Sequence, residues 1–238
     1  MAVEQAFLFI ADIGGYTRFM RLHRMSLAHS QDITARLLEA LIDAAGPLEL
    51  AEIEGDAAFL YVTQTGDESP SKAATVLALA MHRAFHDQRK SMAARNICPC
   101  DACRQAGELK VKFVAHAGEV ATQTIKDRTK LAGVDVIAVH RMLKNTVPVP
   151  EYILMSEAVY EQCDPEIRER AVGIEQDLEG LGTQSLHFVD LDGIALEAPP
   201  APEATLPGRL KETVGVVARG MPALLGLRRR RSSAETPT

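Results

Sequence analysis

No run of apolar residues in this sequence approaches the roughly 20 needed to cross a bilayer as a helix. The first residues lack the basic-then-apolar pattern of a secretion signal, so the expected location is cytoplasmic. Cysteine is scarce, with four in 238 residues and three of those within six positions. That count and clustering exclude a secreted disulfide framework. The body also lacks a basic surplus. Residues 203–238 hold seven basic and three acidic residues, so the formal net charge of −6 leaves −10 on residues 1–202. An acidic body argues against nucleic acid as a partner. There is no internal repeat. What is present is a globular composition, 47% hydrophobic and 24% charged. The length suits one packed domain with appendages or two small ones.

Residues 7–10, Phe-Leu-Phe-Ile, read as a buried strand that ends at Asp12. A Gly14-Gly15 turn and a helix over 16–27 follow. Ser30 is placed to cap a second helix carrying Ile33, Leu37, Leu38, Leu41 and Ile42 on one face. Residues 48–53 and 57–62 read as strands joined by the tight turn Glu54-Gly55-Asp56. A long helix is expected next, with Val76, Leu77, Ala80, Met81, Ala84 and Phe85 as its apolar stripe. Residues 96–103 hold too many breakers to be helical. Strands are expected at 109–117 and 119–125, separated at Gly118. A helix opening at Gly133, a strand at 152–155, a helix capped by Ser156 and a last strand at 184–191 complete the order. It suits an open sheet with helices on one face better than alternating βα units. The expected organisation is one domain over 1–195 with a cysteine-containing insert at 94–108. A Pro- and Ala-rich linker at 196–208 and a basic tail at 209–238 follow. The tail's Arg228 to Arg231 are either a solvated end or a weak contact with an anionic membrane surface.

Asp12 at a strand end and Asp56 at a hairpin tip meet if their strands are neighbours. Two adjacent carboxylates repel unless a cation lies between them, and hard oxygen ligands favour Mg²⁺ or Mn²⁺. Each Asp taken alone is an ordinary turn residue.

Four collinear motifs join them. Asp12-Ile13-Gly14-Gly15-Tyr16-Thr17 follows a strand, and Gly55-Asp56 precedes Ala57-Ala58-Phe59. His116-Ala117-Gly118-Glu119-Val120 ends a strand. Gly133, Val136 and Arg141 fit G-x-x-V-x-x-A-x-R, with Val139 at the Ala position. Over residues 6–191 this pattern resembles the class III adenylate/guanylate cyclase catalytic domain. The insert and the run His140-Arg141-Met142-Leu143-Lys144-Asn145 look most like an uncharacterised bacterial branch of it, of unknown function. The resemblance implies an α/β (α+β) fold, a ferredoxin-like cyclase-homology sheet with helices packed mainly on one face. It implies that Asp12, the Ile13 carbonyl and Asp56 bind two divalent ions, Mg²⁺ or Mn²⁺. It also implies a catalytic Arg141 from the other subunit of a homodimer, acting on a nucleoside triphosphate. The product would be a 3′,5′-cyclic purine nucleotide, with pyrophosphate released.

The sequence departs from that pattern in places. Ile137 stands where the family has a ribose-orienting Asn, and reads as a core residue. Glu179-Gly180-Leu181-Gly182 stands where a phosphate-binding Lys is usual. The segment between Gly118 and Gly133 is short. Glu52 and Lys130 occupy the base-reading positions; they can contact guanine, or be solvated or paired with each other. These departures leave open a second reading, a catalytically degenerate module that signals by binding a nucleotide, a metal or another protein.

Cys98, Cys100 and Cys103 offer three thiols in one loop, and His86, His82 or Cys163 offers a fourth ligand for a structural Zn²⁺. A reduced or redox-sensitive surface loop is the alternative.

Overall fold

The computed structural model describes residues 3–21, 24–64, 69–95, 101–126 and 128–192. Strand β1 (Val3–Gly14) is buried on both faces from Ala6 to Ala11, as an all-apolar run requires, and it is central. It pairs antiparallel with β3 (Ala57–Thr63) and with β4 (Lys110–Ile125). β2 (Glu49–Glu54) continues the sheet beyond β3. On the other side β4 pairs parallel with β6 (Tyr152–Ser156), followed by β8 (Gly182–Asp190) and β7 (Val172–Leu178). β5 (Arg128–Ala132) folds back antiparallel on the end of β4.

Alternation along β1 divides the core in two. Phe7, Phe9, Ala11 and Ile13 pack against α2 (Arg24–Asp43) and α3 (Ala74–Arg95) through Leu37, Leu41, Met81 and Phe85. Ala6, Leu8 and Ile10 face the opposite way, with Phe59, Val114 and the Val139 and Met142 of α5 (Val134–Met142). Each fully buried Phe contributes about 1.5–3 kcal/mol. The short helices α1 (Tyr16–Met20), α4 (Asp101–Gln105), α6 (Glu157–Tyr160) and α7 (Pro165–Arg170) fill the connections. The result is a mixed α/β sheet with helices mainly on one face, in agreement with the sequence.

Several local expectations differ. Ser30 does not cap a helix. It lies inside α2, where its carbonyl accepts a bond from Thr34 Oγ1. The buried face of α3 is Leu77, Ala78, Met81 and Phe85, while Val76 is 65% exposed and Ala80 faces out. That face also carries a polar residue, His82, which is buried. Asp101, Ala102 and Cys103 are helical, in α4, and Ala102 is fully buried in the core. The expected break at Gly118 is absent, because β4 runs through it. β5 and β7 lie where the sequence suggested no strand; in β7 Val172, Ile174 and Leu178 share a face, but Gln176 interrupts it and most of the strand is exposed. The expected linker and basic tail lie outside the described residues. None of the described helices is long and apolar enough to cross a membrane.

Candidate functional site

The antiparallel register places Asp12 opposite Ala57 of β3 and opposite Lys112 of β4. The β2–β3 turn is possible because Gly55 adopts φ 65°, which costs a glycine little. Asp56 follows, and its carbonyl accepts a hydrogen bond from the Ile13 N–H at 3.1 Å. That bond ties the hairpin tip to the end of β1, and the Asp56 carboxyl hydrogen-bonds the Asp12 side chain. Burial, then the Asp12 charge, pushes the Asp56 pKa up to about 6. Lys112 Nζ lies 3.0 Å from Asp12 Oδ2. Burial, the largest single influence, works against the Lys112 charge, but the Asp12 charge and hydrogen bond, with Tyr152 and Asp56, together raise the ammonium pKa. Two carboxyls and one ammonium thus share a strand end, and below about pH 6 the Asp56 carboxyl also keeps its proton there.

A second group of residues forms around α5. Its Asp135 carboxylate accepts the Glu119 N–H at 2.6 Å, and Oδ1 lies 3.0 Å from His116 Nε2. The carboxylate occupies the space above Gly118, where a Cβ would come within 2.2 Å of Asp135 Cγ. Gly133, at φ 147°, sits where a Cβ would meet the Glu119 carbonyl at 2.9 Å. The two glycines therefore let α5 dock against β4, and this docking aims Arg141 into a cavity of about 1270 Å³.

Glu52, Lys130, Ile137 and Arg141 all line that cavity, with the apolar Leu50, Ile53 and Ile125. Arg141 Nη1 is buried without a hydrogen-bond partner among the described residues. Gly180 lies so close that a Cβ there would be 3.3 Å from this nitrogen. A guanidinium nitrogen left unpaired in a cavity suits an anionic oxygen. Ile137, expected in the core, is 48% exposed and faces the cavity. Asp12 and Asp56 do not line the cavity, so the candidate residues fall into two groups rather than one.

The described zinc candidates have the following neighbours. His86 Nε2 lies 3.1 Å from His82 Nε2 and 2.9 Å from Glu151 Oε1. Cys103 Sγ lies 3.8 Å from His29 Nδ1 instead. Cys163 is buried beneath α6, 3.5 Å from Met155 Sδ. Cys98 and Cys100 lie outside the described residues. Two side chains were not singled out from the sequence, Lys112 and Glu151. Lys112 looked like the outward member of an alternating strand, and only the register reveals it opposite Asp12. Glu151 follows Pro-Val-Pro with no local pattern.

A family model described as "Protein of unknown function (DUF2652)" matches residues 34–152. The uncharacterized protein Rv2561/Rv2562 of Mycobacterium tuberculosis is 40% identical over 200 residues, 82% of this chain and 90% of that one. Among solved structures, the adenylyl cyclase CyaB from P. aeruginosa superimposes with a TM-score of 0.57 at 16% identity, covering 83% of this chain and 98% of that one. The guanylyl cyclase Cya2 gives 0.58 at 14% identity, covering 83% and 98%. The guanylate cyclase domain of RhGC from Catenaria anguillulae, solved in complex with GTP, gives 0.50 at 16%, covering 79% and 98%. At these identities the likeness to the cyclases is one of fold. The sequence match is decisive for membership: the chain belongs to the DUF2652 family of unknown function, built on the fold of the adenylyl and guanylyl cyclases.

Proposed function

We propose that the protein is a class III-like nucleotide cyclase that converts a purine nucleoside triphosphate to its 3′,5′-cyclic form and pyrophosphate. The observation that carries this reading is the Asp12–Asp56 pair, held side by side by the Ile13–Asp56 backbone bond, with Asp56 titrating at about pH 6. A carboxyl that resists ionisation because a second carboxylate lies beside it is relieved by a hard divalent cation between the two. Asp12, the Ile13 carbonyl and Asp56 would hold two Mg²⁺ or Mn²⁺ ions. Bound there, the ions would favour ionisation of the ribose 3′-hydroxyl and offset the charge of the triphosphate. Lys112 balances Asp12 until a cation takes over that role.

In the reaction the 3′-oxygen bonds to the α-phosphorus, the bond from that phosphorus to the pyrophosphate oxygen breaks, and the hydroxyl proton leaves to solvent. Arg141 is the group proposed to hold the phosphates, and its unpaired Nη1 supports this. Glu52 and Lys130, sharing the Arg141 cavity, are the proposed contacts for the base. The carboxylate pair lies outside that cavity, which supports a composite site between two copies of the chain.

The half-exposed Ile137 in the cavity favours a second reading, nucleotide binding without turnover. Ile137 offers no hydrogen bond to a ribose, and Glu179 lines the cavity where a lysine would have helped. Incubation of purified protein with ATP, GTP, CTP or UTP and Mn²⁺, with mass spectrometry of the products, separates the two. A cyclic purine nucleotide that disappears in Asp56→Ala is the expected result. Nucleotide binding with no cyclic product at high protein concentration establishes the second reading instead.

A further inference from the structure

Beneath α3 lies a cluster that the proposed reaction does not use. His82 and His86, one helical turn apart, point their Nε2 atoms at the carboxylate of Glu151, which is fully buried at the start of β6. His86 Nε2 is 2.9 Å from Glu151 Oε1, and His82 Nε2 is 3.6 Å from Oε2. The two Nε2 atoms are 3.1 Å apart. In a tetrahedral zinc site with ligand bonds of about 2.0–2.1 Å, neighbouring donor atoms stand about 3.3 Å apart. The three observed separations bracket that value.

Hydrogen bonding satisfies this arrangement only if the His86 Nε2–H is shared between Glu151 Oε1 and the lone pair of His82 Nε2. An imidazole Nε2 carries one hydrogen or one lone pair, not both. If His86 donates to Glu151, it has no lone pair left to accept from His82. If it accepts from His82, its lone pair faces a carboxylate oxygen. A cation at the centre would take both lone pairs and the Glu151 carboxylate together.

The surroundings also fit. The Val111 N–H donates to Glu151 Oε1 at 3.0 Å and so fixes the carboxylate plane, the usual work of a group behind a metal ligand. Lys110 Nζ lies 3.2 Å from Oε2, the oxygen His82 also faces, while Oε1 faces His86. Asp192 hydrogen-bonds Glu151 at the solvent edge and gives a further carboxylate beside it.

We propose that His82, His86 and Glu151 form a structural site for a borderline divalent cation, Zn²⁺ first, with water or Asp192 completing a tetrahedron. The ion would staple α3 to the start of β4 and β6. This assigns His86 to a nitrogen–oxygen site and not to the cysteine loop.

The test uses the full-length chain stripped with a chelator and then titrated with Zn²⁺ alone. Metal content after desalting and the thermal midpoint are read in the parent and in the Cys98→Ser/Cys100→Ser/Cys103→Ser variant. Both are expected to retain an equivalent of zinc that raises the midpoint. His86→Gln, at the partly exposed end of the cluster, should lose that equivalent and the shift while folding normally in chelator. Glu151→Gln is the second variant, with folding checked by circular dichroism. Co²⁺ substitution reads the donors directly even if the cysteine variant does not fold. Tetrahedral d–d bands without thiolate charge transfer support the proposal. No retained zinc, zinc retained undiminished in His86→Gln, or a thiolate-dominated Co²⁺ spectrum overturns it.

Discussion

Asp56 is the residue at which the local electrostatics are most exposed to experiment. Its carboxyl is pushed up to about 6 in the folded protein against an ordinary value of 3.8, so the native state binds this proton more tightly than the unfolded chain. The associated stability is fully present below the unfolded pKa and is lost as pH rises through the folded one. Asp56→Asn cannot ionise and escapes that loss. In chelator the variant should match the parent near pH 4 and exceed it above about pH 7, by about 1–2 kcal/mol once solvent screening of a half-exposed group is allowed for. Urea denaturation across that range measures it. Added Mn²⁺ at the higher pH should reverse the order, raising the thermal midpoint of the parent and leaving that of Asp56→Asn unmoved. At this scale the sequence was legible where chemistry is local. Asp12 ends an apolar strand, Asp56 follows a glycine in a turn, and both show in a short window. Lys112 and Glu151 did not show, because their roles are set by partners distant in the chain. Lys112 meets Asp12 only through the β1–β4 register, and Glu151 meets His86 across 65 residues.

Among the elements, the joint between β4 and α5 decides where Arg141 points. Gly118 has no side chain because the Asp135 carboxylate fills that space. Gly118→Ala should force α5 outward or push Asp135 off the Glu119 N–H, at a cost of about 1–3 kcal/mol. Asp135→Ala alone loses that bond and the His116 contact. The double variant should be less destabilised than the sum of the two, since the alanine at 118 then has room; a double-mutant cycle in urea gives the coupling. Strict additivity would mean that the close approach carries no energy. Gly118 read from sequence as a strand break, since glycine weakens strands in general. Only the partner above it reveals why the strand continues. The same limit applied to α3. Its apolar residues predicted a stripe one position away from the observed face. The buried face also carries His82, which meets Glu151, and no count of apolar residues registers a polar member of that face.

For the whole molecule, the proposed reading divides the candidate residues into two half-sites. Asp12, Asp56 and Lys112 gather at one strand end, while Glu52, Lys130 and Arg141 gather in a cavity whose walls include Leu50, Ile53, Ile125 and Ile137, all between 42% and 53% exposed. Apolar side chains this exposed around a charged cavity suit an interface between copies. A twofold axis would then bring the carboxylates of one copy to the arginine of the other, twice per dimer. This arrangement makes a sharp prediction. Asp56→Ala and Arg141→Ala chains should each be inert alone. Mixed in equal amounts and allowed to exchange, half the dimers become heterodimers, each with one site that holds both groups and one that holds neither. About a quarter of the parental sites are thereby restored. Cyclic nucleotide formation reads the recovery, or Mn²⁺-dependent nucleotide binding if turnover is slow. If both half-sites instead served one chain, mixing would restore nothing. A monomer by sedimentation at all concentrations would remove the basis for exchange. Ile53→Arg, placed at the cavity rim, should weaken self-association and abolish the recovery while leaving the fold of each chain intact.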